Sequence, residues 1–202
     1  MKNLIFALFI CFLSFSNLHA QEEIITKIRK VYNEYNSKLE ADKASGMEFL
    51  PNRYEIKNIQ NRPGLGPVNV NINYFFDETT TGNFADENTE TTSTLRKVVT
   101  IQSAPSFNDY TEFFYSENGQ LLFCYSKLTG YFCGEKRFYF DKGKMIKIKF
   151  NALDVAGCED KQNEFTRTTG SYTKEDLNWE KWVIKIAQNH SVAFKNLFES
   201  GK

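Results

Sequence analysis

Apolar and polar residues alternate along several short stretches of the chain, most regularly in VNVNINYFF (68–76). Every second residue there is valine, isoleucine, tyrosine or phenylalanine, and asparagine fills most positions between them. This period of two is typical of a strand with one face buried and the other in water. A weaker alternation covers residues 54–59, and a further strand is predicted over residues 95–102, which Pro105 ends.

Two similar hairpins follow, FFYSENGQLLF (113–123) and FYFDKGKMIKI (138–148). Each places a glycine, Gly119 or Gly143, where a tight turn needs a positive φ, and Gly130 offers a third turn between them. Four consecutive strands are therefore joined by short connections. Parallel strands would need long crossovers, so the pattern indicates an antiparallel meander.

Helical periodicity occurs at both ends of the chain. Residues 22–44 and 174–199 each carry an apolar stripe at steps of three and four, and Thr173 precedes the second segment as a candidate N-cap. The first stripe consists of Ile25, Ile28, Tyr32, Tyr35 and Leu39. The second consists of Trp179, Trp182, Val183, Ile186, Ala187, His190, Phe194 and Leu197.

These elements together predict an α+β fold: an antiparallel β meander of about six strands, with an N-terminal and a C-terminal amphipathic helix packed on one face. Residues 77–93 (DETTTGNFADENTETTS) are acidic, rich in threonine and poor in apolar side chains. We expect a mobile surface loop there.

The first twenty residues have the composition of a secretory signal peptide. Lys2 precedes an uncharged apolar run over residues 4–13, and Ala20 is the small residue that signal peptidase requires beside its cleavage site. The run is shorter than the roughly 20 residues of a spanning helix. We therefore expect cleavage before Gln21, a single α+β domain over residues 21–202, a periplasmic or secreted location, and no membrane span after cleavage.

Charge and composition narrow the function classes. The chain carries 25 basic and 25 acidic residues, so it lacks the positive surface that nucleic acid or anionic lipid would need. No nucleic-acid partner is predicted. Aromatic residues make up 15% of the chain, which favours a sheet-rich fold with extensive ring packing.

Three cysteines follow the predicted signal peptide, and an oxidising compartment permits one disulfide among them. We favour Cys133–Cys158 slightly over Cys124–Cys133, and three free buried thiols remain a third alternative. No histidine lies near enough in sequence to suggest zinc spacing. No metal site and no cofactor are predicted.

Gly64 and Gly66 resemble the start of a phosphate-binding loop, but the segment leads into a strand rather than a helix. Pro63 and Pro67 also remove amide donors that a phosphate would use. A rigid turn is the better interpretation. His190, on the apolar stripe of the last helix, is interpreted as a packed histidine rather than a catalytic base.

The aromatic strands give the better functional signal. A row of tyrosines with Arg137 on a free sheet face would bind a peptide or glycan, because tyrosine combines contact area with a polar tip. The alternative is that these rings pack on one another across the strands. The predicted ligand-binding residues are Tyr74, Tyr115, Tyr125, Tyr131, Arg137 and Tyr139.

The chain resembles small exported proteins of unknown function from Bacteroides- and Flavobacterium-like bacteria. The resemblance rests on IxKIRKxYNEYN (25–36), NRPGLGP (61–67), YSENGQLLF (115–123) and KRFYFDKGKMIKI (136–148), and it covers most of the chain after the signal peptide. It implies export and brings no catalytic residues, because its motifs are structural.

We therefore expect an exported non-catalytic binding or interaction module for a protein, peptide or glycan. An envelope-polymer hydrolase is one alternative, since glycoside hydrolysis needs two suitably spaced carboxyls. An envelope protein inhibitor is the other. The acidic residues considered for hydrolysis are Glu112, Glu117, Glu135 and Asp141.

Overall fold

The computed structural model of the chain describes residues 2–44, 52–82, 90–130, 133–153 and 164–199. Two helices flank eight strands within these ranges. The elements are α1 (Lys2–Ala44), β1 (Arg53–Arg62), β2 (Gly66–Thr81), β3 (Glu90–Ala104), β4 (Phe107–Tyr115), β5 (Leu121–Gly130), β6 (Gly134–Asp141), β7 (Lys144–Ala152), β8 (Phe165–Thr168) and α2 (Lys174–Glu199).

The strands form one antiparallel sheet in which each pairs with its neighbours in sequence, in the order β1 to β8. This confirms the predicted α+β meander, with eight strands rather than about six. β8 is only four residues long, too short to show a period of two in the sequence. Gly64 and Gly66 both have positive φ, and Leu65 N donates to Arg62 O, so this glycine pair forms a hairpin turn as predicted.

The hairpin of β2 and β3 is longer than the sequence indicated. The loop predicted over residues 77–93 was wrong at both ends, because the two strands pair from Asp77↔Thr94 to Thr81↔Glu90. Threonine is β-branched and favours strands, and the hydroxyls of Thr80 and Thr91 lie 3.3 Å apart across the pair. Residues 83–89 of that segment lie outside the described residues.

The two helices pack on opposite faces of the sheet. Consecutive residues of a strand point to opposite faces, and Phe113 contacts the α2 core while Phe114 contacts the α1 core. The same alternation separates Phe138 from Tyr139. The prediction that both helices share one face was therefore wrong, and the fold has three layers with the sheet in the middle.

The layer under α1 is the smaller of the two cores. Ile25, Ile28 and Leu39 are buried against Phe114 and Phe123. α1 crosses the strands: Glu22 forms an ion pair with Lys147 of β7, and Asn36 accepts a hydrogen bond from Lys97 of β3.

The layer under α2 holds the larger core. Val183, Ala187 and Phe194 are buried against aromatic side chains of the strands. α2 also crosses the sheet, because Glu180 near its start accepts a hydrogen bond from Met145 N of β7, whereas Phe194 near its end contacts Phe76 of β2.

In the ranges that the structure describes, no helix has the length and hydropathy that a membrane span requires.

Candidate ligand-binding cavity

A cavity of about 420 Å³ lies between the first half of α2 and the sheet face formed by β4 to β7. Its walls are mainly apolar and aromatic, and both tryptophans of the chain contribute to them. The apolar lining comes from Leu128, Phe138, Phe150, Trp179 and Trp182. The charged and hydroxyl groups that face it belong to Asp109, Ser126, Lys136 and Glu175.

The helix that roofs the cavity is fixed at its first turn. Thr173 Oγ1 accepts from Asp176 N at 3.2 Å, and Asp176 Oδ2 accepts from Thr173 N at 2.7 Å, which is the reciprocal arrangement of a capping box. Asp176 is buried and also accepts two 2.9 Å bonds from Arg167 of β8. This network ties the start of α2 to the edge of the sheet, so it sets the height of the roof.

A close approach of ring and backbone shapes the floor. Gly134 of β6 has no side chain, and a Cβ there would lie 2.3 Å from Cε2 of Phe150. The Phe150 ring therefore lies directly against the β6 backbone. The Phe150 ring also stacks on that of Phe165 of β8, at a centroid distance of 5.5 Å.

The hydroxyl and carboxyl groups of the floor form a short chain. Thr111 Oγ1 lies 3.0 Å from Asp109 Oδ1 and 3.4 Å from Ser126 Oγ. A threonine hydroxyl has one hydrogen, so Thr111 donates to Asp109 and accepts from Ser126 when the Asp109 carboxyl is ionised. Burial raises the pKa of that carboxyl, and the Thr111 bond acts in the opposite direction.

Lys136 is the cation of the cavity. Its Nζ lies 3.5 Å from the centroid of the Trp179 ring and 6.0 Å from that of Phe150, which is a cation–π arrangement. Burial lowers the pKa of Lys136, while the negative charges of Glu175 and Asp176 act to raise it. Glu175 itself is exposed and accepts a 3.4 Å bond from Trp179 Nε1.

The predicted tyrosine row is divided between the two faces. Tyr74 and Tyr115 are buried under α2, where Tyr115 donates to Ala187 O at 2.9 Å. Tyr139 is buried under α1, and Arg29 donates to its hydroxyl at 3.2 Å. Tyr131 lies outside the described residues. The described tyrosines thus form no common exposed row, because most of their rings pack in the two cores.

Tyr125 and Arg137 are the two predicted residues that remain partly exposed together, on the α1 face of the sheet. The Arg137 guanidinium lies 5.3 Å from the Tyr125 ring centroid, and both side chains bond to Glu135. Their polar groups satisfy one another. A role for this pair in binding stays a prediction.

Glu112 forms a second polar network, buried beneath α1. Its carboxylate accepts from Tyr32 at 2.5 Å and from Tyr110, and it forms a 3.1 Å ion pair with Lys97. Both charged side chains are about 7% exposed. The bonds join α1 to β3 and β4, so this carboxylate has a structural explanation, and Glu135 is likewise held by Tyr125 and Arg137.

Cys124 and His190 have packed surroundings. Cys124 is a free thiol with no exposed surface, which excludes the Cys124–Cys133 alternative, and burial raises its pKa well above the usual value. Cys158 lies outside the described residues, so the Cys133–Cys158 disulfide stays a prediction. His190 lies between the rings of Tyr74 and Phe113, and burial lowers its pKa to about 4.

Sequence reasoning did not find the cavity, although a signal for it exists. Asp109 and Thr111 lie on the same face of β4 as the buried Phe113 and Tyr115. Polar residues therefore occupy the buried phase of that strand, meaning the alternate positions that face the core. Lys136 does the same before Phe138 in β6. Polar side chains in the buried phase of neighbouring strands indicate a cavity or a polar core. Among the described residues, no cluster of His, Cys, Asp and Glu is arranged to hold a metal ion.

No protein-family model, no curated protein and no solved structure matches the chain.

Proposed function

We propose that the chain is an exported, non-catalytic binding protein that takes a small molecule with an apolar body into the cavity under α2. The observation that carries this proposal is the cavity itself, about 420 Å³ in volume and walled by two tryptophans and two phenylalanines. Pockets for small ligands are commonly about 300–1,000 Å³, mostly apolar, and supplied with a few polar groups that orient the ligand.

The construction of the cavity favours a preformed site. The capping box and the Arg167–Asp176 pair hold the roof, and the floor is part of a regular sheet. A site that needs little rearrangement loses less free energy to ordering when it binds. Binding would transfer the apolar body of the ligand from water to the aromatic walls, which stabilises the complex by about 25 cal/mol for each Å² buried.

The contacts favour binding over hydrolysis of envelope polymers. Glu112 and Glu135 are engaged by tyrosine hydroxyls and a basic side chain each, and Glu117 projects into solvent with 88% of its side chain exposed. A hydrolase of the two-carboxyl type needs two carboxyls that face one substrate. The cavity instead offers mainly ring surface, and its two carboxyls have different surroundings: Asp109 lies on the floor, whereas Glu175 is exposed and bonds to the Trp179 indole.

The neutral fluorophore N-phenyl-1-naphthylamine tests the proposal. Because the two tryptophans of the chain line the cavity, excitation of tryptophan should transfer energy to the bound probe, and the titration should saturate at one probe per chain. Ser126→Phe places a ring in the cavity and should weaken binding at least tenfold. Lys127→Phe is the matched control, because the neighbouring residue of β5 points to the other face and should leave binding unchanged.

Two results would overturn the proposal: no saturable energy transfer, or equal binding by the two variants. Circular dichroism and a thermal melt establish that both variants are folded. A binding loss that follows Lys127→Phe instead would place the site on the α1 face.

A further inference from the structure

The charged side chains that line the cavity carry an excess of negative charge. Among the described residues they are Asp109, Lys136 and Glu175. Glu175 is exposed at the rim, where water solvates its carboxylate and the Trp179 indole donates to it. With both carboxyls ionised, a cationic ligand would neutralise the charge of the lining, whereas an anionic ligand would increase the negative excess.

The positive charge of Lys136 already has favourable surroundings. Its Nζ lies over the Trp179 ring, 3.5 Å from the centroid, and a ring face attracts a cation. Burial lowers the pKa of Lys136, but the negative charges of Glu175 and Asp176 act to raise it. An anionic ligand would gain little at this ammonium, because the same two carboxylates would repel it.

Asp109 lies on the floor of the cavity without an opposite charge beside it. The carboxyl is half-buried, and in the ranges that the structure describes it forms no ion pair. The Thr111 hydroxyl lies 3.0 Å from Oδ1, while Oδ2 accepts no bond from those residues. Thr111 also bonds to Ser126, so the carboxylate is held in place. Burial raises the pKa of Asp109, and a cation beside it would favour the ionised form.

We propose that the ligand is a protonated amine with an apolar body, whose ammonium bonds to Asp109 while the body lies against the aromatic walls. This inference rests on the proposed function. A primary ammonium has three N–H donors, so it can donate to Asp109 Oδ2 and to the Ser126 hydroxyl. An alcohol of the same shape donates one hydrogen bond and brings no charge, and a carboxylate would meet the charge of Asp109.

Three ligands with one apolar body test the inference. Phenylpropylamine, phenylpropanol and phenylpropanoic acid, each with the ring at the end of the chain, are a cation, a neutral molecule and an anion at neutral pH. Each is titrated as a competitor of N-phenyl-1-naphthylamine, with intrinsic tryptophan fluorescence as the second readout. We expect the amine to compete about tenfold better than the alcohol, and the acid to compete least.

Variants of the carboxyl groups locate the anchor. Asp109→Asn should reduce the advantage of the amine over the alcohol to below about threefold, because the charge that pairs with the ammonium is lost. Glu175→Gln, at the exposed rim, should reduce that advantage less. Asp141→Asn is the same change outside the cavity and should keep the full advantage. Circular dichroism and melting temperature establish that each variant is folded.

The outcomes separate the two proposals. If the naphthyl probe binds and the three ligands compete equally or not at all, or if the acid competes best, the amine inference is wrong and the proposed function stands. If Glu175→Gln removes the advantage and Asp109→Asn does not, the assignment of the anchor to Asp109 is wrong. If the probe itself does not bind, the proposed function fails and this inference fails with it.

Discussion

The floor of the cavity depends on the absence of a side chain at Gly134. The ring of Phe150 occupies the space that any Cβ at this position would need. The backbone of Gly134 has no positive φ, so the requirement for glycine comes from the close approach of the ring and not from the turn conformation.

We therefore expect Gly134→Ala to lower the free energy of unfolding by about 1–3 kcal/mol through overpacking and to weaken binding of the naphthyl probe, because the displaced ring moves toward the cavity. Denaturant unfolding followed by circular dichroism measures the first effect. Combining the change with Phe150→Leu should restore part of the loss. A double variant whose loss equals the sum of the two single losses would show that the ring contact is not the cause.

Burial of His190 should make the stability of the protein depend on pH. Its folded pKa is about 4, below the usual 6.5, because burial disfavours the charged form. The unfolded chain therefore binds the proton more readily, so the native state loses stability as the pH falls from about 6.5 to 4. The full loss for such a shift is roughly 3 kcal/mol.

His190→Gln should flatten this part of the stability profile. The measurement is denaturant unfolding of both proteins at pH 7, 5.5 and 4. The difference between them isolates the histidine from other groups such as Asp109, whose raised pKa acts in the opposite direction. A parallel pH dependence of the two proteins would contradict the assignment.

Turns were predictable residue by residue, and side-chain environments were less so. Gly119 and Gly143 both have the positive φ that the hairpin pattern required. Tyr74 and Tyr115 were expected on a free face and are buried instead. A period of two assigns alternate residues to two faces, but it does not say which face is covered. Only the polar residues in the buried phase, such as Asp109, mark the site.

At the scale of elements, α2 illustrates how local and tertiary contacts combine. The sequence identified Thr173 as the cap, and the structure adds the pairing of Asp176 with Arg167. The apolar stripe was predicted too broadly: Val183 and Ala187 are buried, whereas Trp182 is 41% exposed at the cavity. A stripe of eight residues is wider than the face of a helix that a sheet can bury. The residues at the edges of the stripe therefore lie beside the cavity or in water.

Asp176→Asn should weaken the junction between α2 and β8 more than Glu175→Gln, the corresponding change at the preceding residue. The change removes the charge that pairs with Arg167, and we expect a loss of about 2–4 kcal/mol in unfolding free energy, since one partner of a buried pair remains. Glu175→Gln, in the same helical turn but exposed, should cost less than about 1 kcal/mol. Equal losses would mean that the junction with β8 contributes nothing beyond the helix dipole.

The sequence contains a sign that both faces of the sheet are covered. Consecutive apolar residues such as Phe113-Phe114 and Phe138-Tyr139-Phe140 indicate strands buried on both faces. An amphipathic stripe shows that a helix covers something, and it carries no information about which side of the sheet receives it. The number of layers therefore had to come from the structure.

At the scale of the whole molecule, α1 makes its described contacts with the sheet from Glu22 onward, beginning with the ion pair to Lys147. Residues before Gln21 are the predicted signal peptide. We therefore expect the exported product to begin at Gln21 and to retain the complete α1 layer.

Intact-mass spectrometry of the protein recovered from the periplasm or medium of an expressing bacterium measures this directly. A recombinant chain starting at Gln21 should show a cooperative thermal transition, and one starting at Tyr32 should lose several kcal/mol, because Ile25 and Ile28 leave the core. A recovered product that keeps residues 1–20 would show the export prediction to be wrong.

The order β1 to β8 also bears on how the chain reaches this structure. Each strand hydrogen-bonds to the strand beside it in sequence, so every pairing in the sheet closes a single turn or loop. Short closures cost little chain entropy, and proteins rich in local contacts fold fast. We expect the sheet to assemble hairpin by hairpin. The two ends of the chain then close over opposite sides, and neither has to thread past the other.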